Sequence, residues 1–232
     1  MTDSQNRLAH HHASPNKNQS EYVPRPFLAR GSKVKRCDDC LLPHWVCICS
    51  QVPKLQSNSE FWLITHYKEV YKPTNSGRLL PMCFDNAKTY VWHRTEPEEG
   101  LLEQLKRTDI QPYIVFPDDQ DGYQDRVTYK VEVEETKTPV FILLDATWRQ
   151  ARRMFRLSEY LQDLPVLSLK PEQVSEFLLR KETSDEHLCT AEVAVNVLAL
   201  AGEQKNSEQF GKFYDLFNRS YKAGKMNTVL KD

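Results

Sequence analysis

The sequence predicts an α/β fold with a mostly parallel sheet, and two patterns in the chain of 232 residues carry that prediction. Five short runs are rich in β-branched and aromatic residues and show little polar alternation, which is typical of strands buried on both faces. Stretches with helical periodicity lie between and after these runs. A chain of this length has room for one such domain with a small appendage.

The elements can be placed in order along the chain. The predicted strands cover residues 61–67, 89–93, 113–116, 140–145 and 165–169. The predicted helices cover residues 77–82, 98–107, 147–161, 190–202 and 207–221. We assign residues 58–232 to this domain. None of its glycines forms a G-x-G-x-x-G or P-loop pattern, which excludes the common phosphate cradles.

Residues 1–23 are polar and lack the apolar core of a signal peptide, so we expect a disordered tail. No run is long and apolar enough to cross a bilayer, and we expect a cytoplasmic protein with reduced cysteines and no membrane partner. The net charge of -1 does not indicate a general nucleic-acid binder. We therefore expect no DNA partner, and any basic binding site must be local.

Four cysteines are clustered near the start of the ordered part of the chain, in a predicted segment of residues 24–57. They follow a C-x-x-C and C-x-C pattern separated by six residues, and they are Cys37, Cys40, Cys47 and Cys49. Four thiolates at this spacing can close a tetrahedral Zn²⁺ site with no open position, so we predict a structural zinc knuckle. A disulfide pair, or His44 in place of one cysteine, is the less favoured interpretation.

Basic residues flank the knuckle, among them Lys33, Lys35 and Arg36. With nearby aromatic residues, they resemble a small RNA-contacting module, but a solvated linker explains them equally well. The two remaining cysteines, Cys83 and Cys189, are expected to be buried small residues rather than nucleophiles.

The segment "LLDATWRQARRMF" places an acid, Asp145, at the end of a predicted strand, where open α/β sheets bind ligands. Thr147 and Gln150 have the spacing of a capping box, which predicts a helix starting at Thr147. One face of that helix is basic and carries Arg149, Arg152, Arg153 and Arg156. Four like charges on one face favour phosphate binding over an ordinary solvated surface.

A second polar segment, "HYKEVYKPTNSGRLL", follows the first predicted strand. Its candidate ligand residues are His66, Glu69, Thr74, Asn75, Gly77 and Arg78. A helix starting near Ser76 would offer free backbone N–H groups to an anion. The same residues also suit a purely structural strand-to-helix turn. Near the end of the chain, Thr190 is predicted to cap a helix whose main role is packing.

With these motifs in place, the chain resembles the DTW-domain family of tRNA-uridine aminocarboxypropyltransferases, of bacterial type. The resemblance covers residues 33–202 and includes the cysteine cluster, "KPTNSGRLL", "VFPDD", "LLDATWRQARRMF" and "LCTAEVAVNVL". In the family, the segment after the first strand reads H-P-x-E-x-x-R-x-T-N-T-G-R-L. This chain departs from that pattern at Tyr67, Lys72 and Ser76.

The resemblance implies transfer of the 3-amino-3-carboxypropyl group from S-adenosylmethionine to N3 of a tRNA uridine, with release of methylthioadenosine. It also implies a SPOUT-related fold with a knotted C-terminal region. Residues that match the family's motifs would bind the donor, and these are Thr74, Asn75, Gly77, Arg78, Pro117 and Leu144. The D-x-T-W residues Asp145, Thr147 and Trp148 would form the catalytic set.

Several roles stay open at the level of sequence. Asp145 can act as a base toward uracil N3–H or only as its hydrogen-bond acceptor. Trp148 can stack on a base or pack in the core, and Thr147 suits a cap better than a reactant. A SPOUT-like RNA methyltransferase and a non-catalytic zinc-containing RNA-binding protein are the alternative functions.

Overall fold

The structure is a computed structural model that describes residues 34–119, 122–170 and 188–229. The predicted tail of residues 1–23 and the basic residue Lys33 lie outside these ranges. The strands are β1 (Glu60–His66), β2 (Ala87–Trp92), β3 (Ile110–Val115), β4 (Val127–Thr128), β5 (Thr138–Asp145) and β6 (Val166–Leu167). They form a six-stranded sheet in the order β2-β1-β5-β3-β6-β4, and every pair is parallel. The predicted α/β fold with a parallel sheet is thus confirmed.

The described residues contain five α-helices, and each overlaps a stretch whose periodicity predicts one, although the first and the last extend beyond the predicted bounds. They are α1 (Leu79–Cys83), α2 (Glu99–Leu105), α3 (Trp148–Leu157), α4 (Thr190–Leu200) and α5 (Gln204–Lys225). The sequence pattern does not predict β4, because a two-residue strand carries no periodicity. None of the described helices has the length and apolar character that crossing a membrane requires.

The sheet is the middle layer of three. In β1, Phe61 and Leu63 belong to one apolar cluster, and Trp62 and Ile64 belong to another. The first cluster includes residues of α1, α4 and α5, and the second includes residues of α2 and α3. Because successive strand side chains point to opposite faces, both faces of the sheet are covered, which explains its nearly continuous apolar strands.

The strand order creates a crevice beside the centre of the sheet. The chain leaves β1 toward β2 on one side, whereas it leaves β5 toward β6 on the other side. Neighbouring strands whose connections diverge in this way leave a gap at their carboxyl ends, and ligands of open α/β sheets bind there. Thr65 and Asp145, paired in the register of β1 and β5, lie at this point.

The cysteine-containing segment shares the main core. Its apolar side chains Leu42, Val46 and Ile48 are buried in the same cluster as the α5 residues. Close packing also brings α5 against it at Gly224, where an added Cβ would lie 3.0 Å from a Pro43 side-chain carbon. The segment is therefore held by packing against the domain core.

Candidate active site

A cavity of about 320 Å³ opens at the crevice between the carboxyl ends of β1 and β5. Its walls combine apolar side chains with a few converging polar groups, as small-molecule sites commonly do. The polar lining comes from three separate parts of the chain, and its members are Glu69, Thr74, Asn75, Ser76, Asp145, Thr147 and Thr190. The apolar lining includes Val115, Phe116, Pro117, Leu143, Leu144, Leu169, Leu188 and Val193.

The Asp145 carboxyl group lies in this cavity and is only 5% exposed. It accepts three side-chain hydrogen bonds. Thr65 Oγ1 and Asn75 Nδ2 donate to Oδ2 over 3.0 and 2.6 Å, and Thr190 Oγ1 donates to Oδ1 over 2.8 Å. A carboxylate has up to four acceptor positions, two on each oxygen. Oδ2 accepts two of the three hydrogen bonds and Oδ1 accepts one, so Oδ1 has more acceptor capacity left.

The pKa of Asp145 is raised above its ordinary value, mainly because burial disfavours the charged form. The hydrogen bonds from Asn75, Thr190 and Thr65 act in the opposite direction, and the negative charge of Glu69 raises the pKa further. Such a carboxyl group is a stronger base than an exposed aspartate.

The loop between β1 and α1 is organised around Asn75 and Arg78. Asn75 donates to Asp145 and to the Glu69 carbonyl, while its Oδ1 accepts the Arg78 backbone N–H over 3.1 Å. The Arg78 guanidinium donates to the carbonyls of Asn75, Val70 and Lys72. The predicted ligand residue Arg78 is therefore occupied by the loop backbone, and it is absent from the cavity lining.

Gly77, another predicted ligand residue, packs directly against the Asp145 carboxyl group. A Cβ added at this position would be 2.6 Å from Asp145 Oδ1 and 2.8 Å from Leu63 Cδ2. Real Cβ atoms do not approach neighbours so closely, so only glycine lets the loop lie against the carboxyl group.

Glu69 and Thr74 also line the cavity. Glu69 is buried, and its Oε1 lies 2.7 Å from the ammonium group of the exposed Lys72. The cavity thus holds two buried acids, Glu69 and Asp145, which suits a ligand that carries positive charge.

The predicted capping box at the start of α3 is confirmed. Thr147 is the N-cap residue, and its backbone N–H donates to Gln150 Oε1 over 2.9 Å. The amide nitrogen Nε2 of Gln150 lies 3.4 Å from His66 Nδ1 at the end of β1. Gln150 therefore ties the carboxyl ends of β1 and β5 together.

Trp148, the first residue of α3, is half-buried and lines the cavity. Its ring is tilted against Phe116, with the centroids 6.3 Å apart. The predicted donor-site residues Pro117 and Leu144 lie in the same wall and are also half-buried. This wall is a partly exposed apolar surface of the kind that stacks on an aromatic base.

All four arginines of the predicted basic face of α3 are exposed, and these are Arg149, Arg152, Arg153 and Arg156. Arg152 forms an ion pair with Asp119, with its NH2 atom 2.5 Å from Oδ2. The face begins beside the cavity because α3 begins there. Lys35 is also exposed, whereas Arg36 donates to the Leu41 carbonyl over 3.1 Å.

The sequence does not predict the two threonines that donate to Asp145. Thr65 lies inside a continuous apolar strand, and nothing in the pattern distinguishes its hydroxyl group. Thr190 is predicted to be a helix cap, but the N-cap residue is Cys189, whose backbone N–H donates to Glu192 Oε2 over 2.9 Å. That prediction is wrong by one position because Cys189 has an extended conformation, which leaves the Thr190 hydroxyl free to reach Asp145.

The four predicted cysteine ligands converge, and their sulfur atoms all lie within 4.8 Å of one another. The Cys37–Cys49 and Cys40–Cys47 sulfur pairs are 3.5 and 3.8 Å apart. A tetrahedral Zn²⁺ with Zn–S bonds of about 2.3 Å places its sulfur ligands about 3.8 Å apart. The cluster can therefore hold such an ion. The exposed His44 does not belong to it, and each cysteine is free of disulfides.

Of the remaining two cysteines, Cys83 is buried as predicted, whereas Cys189 is only partly buried. Burial raises the pKa of Cys83 to about 12, and burial also raises the pKa of Cys189. Cys189 lines the cavity, but its sulfur atom lies 3.0 Å from the Tyr214 hydroxyl and 3.3 Å from Ser76 Oγ. Neither thiol has the depressed pKa of a reactive cysteine.

Comparison of the sequence with known protein families identifies the domain that carries this cavity. The model of the DTW domain matches residues 34–222, which is well over half of the chain. This chain belongs to the DTW-domain family. In the DTW domain described above, the Asp145, Thr147 and Trp148 of the D-x-T-W motif all border the cavity.

Curated relatives of this DTW domain include two proteins named tRNA-uridine aminocarboxypropyltransferase 2. The one from Mus musculus is 24% identical over 172 residues, which covers 71% of this chain and 55% of the relative. The one from Drosophila melanogaster is 23% identical over 169 residues, covering 71% of this chain and 66% of the relative. The chain thus spans between about half and two thirds of their length. No solved structure matches this DTW domain.

Proposed function

We propose that this protein transfers the 3-amino-3-carboxypropyl group of S-adenosylmethionine to N3 of a uridine in tRNA. The observation that carries the proposal is the Asp145 carboxyl group, buried in an apolar-walled cavity at the crevice of a DTW domain. The names of the relatives from mouse and fruit fly support the reaction class.

The proposed reaction is a displacement at the methylene carbon next to the sulfonium of the donor. The uracil N3 forms the new N–C bond, the C–S bond breaks, and its electron pair stays on sulfur in methylthioadenosine. The N3 proton must leave as the bond forms. Asp145 is the group in the cavity that suits this proton, because its raised pKa makes it a better base than an exposed aspartate.

We assign the uracil contact to Asp145 Oδ1. Thr65 and Asn75 both donate to Oδ2, whereas Oδ1 accepts only the Thr190 hydroxyl among these three side chains. An acceptor held in place by three hydrogen bonds can meet N3–H without reorganising. Thr147 then acts as the cap of α3 rather than as a reactant.

We place the donor between the apolar wall and the buried acids. Trp148, Pro117 and Leu144 offer an apolar surface for the adenine ring, and Asn75 and Thr74 contribute polar groups to the same cavity. The charges of Glu69 and Asp145 would favour a sulfonium and an ammonium group. Gly77 and Arg78 support the site indirectly, by shaping the loop that carries Asn75.

We place the tRNA backbone on the basic face of α3, whose exposed arginines begin at the cavity. Phosphate contacts of this kind set register and affinity, while the cavity acts on the base. We keep Lys33 and Lys35 as RNA contacts proposed from the sequence, separate from the basic face of α3, whereas Arg36 serves the turn of the cysteine segment.

We propose that the four cysteines hold Zn²⁺ in a structural role. The four sulfur atoms converge within 4.8 Å of one another, and four thiolates that close together are stabilised by a bound cation. A Cys₄ set leaves no open coordination position for chemistry.

From the family resemblance we also propose a SPOUT-related topology with a knotted C-terminal region.

The decisive experiment uses two samples of the donor, one labelled in the methyl carbon and one in the carboxypropyl carbons. Each is incubated with the protein and unmodified tRNA. Label from the carboxypropyl carbons should enter the tRNA, while label from the methyl carbon should appear in methylthioadenosine. Transfer of the methyl label alone would indicate a methyltransferase, and transfer of neither label would indicate a non-catalytic RNA-binding protein.

A further inference from the structure

A stack of three aromatic rings runs from the core to the surface beside the cavity. Trp92, buried at the end of β2, stacks on His66 with the centroids 5.7 Å apart and an interplanar angle of 24°. His66, also buried, stacks on Tyr67 with a centroid distance of 4.6 Å and an angle of 25°. Tyr67 is 53% exposed, so the stack ends in solvent.

The two inner rings are fixed by hydrogen bonds. The Trp92 indole N–H donates to Ser158 Oγ over 3.0 Å. His66 Nδ1 accepts the Lys68 backbone N–H over 3.2 Å, which places the ring proton of neutral imidazole on Nε2. A rigid stack of this kind presents its outer ring at little cost in conformational entropy.

The surroundings of the stack carry positive charge. The Lys68 ammonium group lies 5.7 Å from the centre of the Tyr67 ring. Burial lowers the pKa of His66, and Lys68, Arg153 and Lys72 are close enough for their charges to lower it further, against the opposing charge of Glu69. Gln150, one turn before Arg153 on α3, lies 3.4 Å from His66. Arg153, on the basic face of α3, therefore lies close to His66, the middle ring of the stack.

We propose that Tyr67 stacks on a base of the RNA that flanks the reacting uridine. An exposed aromatic ring among cations is the arrangement with which proteins bind single-stranded nucleic acid, since the ring takes the base and the cations take the phosphates. Tyr67 does not line the cavity, whereas Thr65, two residues earlier, bonds to Asp145. A base on Tyr67 is thus outside the reaction site but near it.

This inference rests on the proposed function, because it takes tRNA as the substrate. The contact would hold the nucleotide next to the target in an unpaired conformation, and it would favour uridines whose neighbours can leave their helix.

The test compares the affinity of Tyr67 variants for unmodified tRNA in the absence of donor. Tyr67→Ala should bind about 5- to 100-fold more weakly, the loss expected for one stacked base. Tyr67→Phe and Tyr67→Trp should bind close to the wild type, whereas Tyr67→Leu, apolar but without a π face, should resemble Tyr67→Ala. Tyr71→Ala is the matched control, because Tyr71 is 65% exposed on the same loop and lies outside the stack.

A salt titration separates stacking from charge. Tyr67→Ala should keep the wild-type slope of affinity against salt, because no phosphate contact is lost. Equal affinity of Tyr67→Ala and the wild type, or full rescue by leucine, would overturn the inference. If the wild type binds tRNA and Tyr67→Ala binds weakly while no label is transferred, the proposed function fails and the stacking contact stands. A wild type that binds no tRNA would overturn both.

Discussion

Asp145 accepts hydrogen bonds from three polar side chains at the cavity. Its three donors come from β1, from the β1–α1 loop and from the start of α4, so the carboxyl group joins three parts of the chain. Burial raises its pKa, and the hydrogen bonds limit that rise. Both its orientation and its basicity are therefore set by neighbours rather than by the motif alone.

The pH dependence of turnover should report this balance. As a base, Asp145 must be ionised, so single-turnover rates should rise with pH through a pKa above the ordinary value of about 3.9. Thr190→Val removes one hydrogen bond that favours the carboxylate, so the same inflection should move to higher pH. An unchanged profile in Thr190→Val would show that this hydroxyl does not tune Asp145.

The raised pKa of Asp145 also affects how the stability of the fold depends on pH. A carboxyl group whose pKa is higher in the folded state stabilises the fold below the unfolded pKa, and that contribution is lost as pH rises through the folded pKa. Asp145 therefore opposes folding at neutral pH relative to a protonated carboxyl group. This is the direction expected for a group held for chemistry rather than for stability.

Gly77→Ala should be destabilising because its Cβ would lie 2.6 Å from Asp145 Oδ1. We expect a loss of about 1–3 kcal/mol in urea unfolding, as for other overpacked sites, together with reduced turnover. Gly100→Ala in α2 is the control, since a Cβ there meets no atom within 4 Å. It should raise stability by about 0.5–1 kcal/mol. Similar behaviour of the two variants would contradict the close packing beneath Asp145.

The residues of the site differ in how far sequence can predict them. Asp145, Thr147 and Asn75 occur in local patterns of strand end, helix cap and turn, so short segments suffice to find them. Thr65 and Thr190 reach Asp145 across 80 and 45 positions of sequence. Such contacts depend on strand register and helix placement, which local patterns do not encode.

At the scale of elements, α3 combines two functions on one helix. Its apolar side carries Ala151, Met154 and Phe155 into the core, and its opposite side carries the exposed arginines. The capping box at its start holds the helix against β1 through Gln150 and His66. The basic face is thus placed beside the cavity by the same contacts that begin the helix.

Replacing Arg149 and Arg153 together by glutamine should weaken tRNA binding and flatten its salt dependence. Each lost phosphate contact should lower the slope by roughly 0.7 to 0.9, while donor binding stays intact. Arg152→Gln is the matched control, because its partner Asp119 already offsets its charge and its effect should be smaller. Parallel salt titrations of the double variant and the wild type would mean that these arginines face only solvent.

The elements themselves follow largely from apolar pattern, because strands buried on both faces leave a clear signal in the sequence. The order β2-β1-β5-β3-β6-β4 does not follow, because it depends on which crossovers pass over which strands. The sequence therefore predicts that the site lies at the end of β5, but it does not predict that β1 is the neighbouring strand.

At the scale of the whole molecule, the cysteine segment is part of the domain that carries the site. Its buried Leu42, Val46 and Ile48 contribute to the cluster that covers one face of the sheet. Arg78, which shapes the cavity loop, also lies 3.4 Å from the Asp39 carbonyl within the C-x-x-C turn. The turn that carries Cys37 and Cys40 thus contacts the residue that shapes the cavity loop.

Zinc removal should accordingly lower the stability of the whole domain. We expect the reduced protein to carry about one Zn²⁺ per chain, and a strong chelator to shift its main unfolding transition to lower temperature. Cys49→Ser should lose the metal, and its Tm should no longer respond to the chelator. Metal analysis that finds equal zinc in Cys49→Ser and the wild type would contradict the assigned ligands.

The central claim, that Asp145 performs aminocarboxypropyl transfer to tRNA, is tested most directly by mass spectrometry of nucleosides and released adenosine products. Unmodified tRNA is incubated with S-adenosylmethionine and either the wild type or Asp145→Asn, with tRNA binding measured in parallel. The wild type should give aminocarboxypropyl-uridine and an equal amount of methylthioadenosine. Asp145→Asn should bind tRNA normally and form at least about 100-fold less product. Methylated uridine from the wild type, or undiminished product from Asp145→Asn, would contradict the claim.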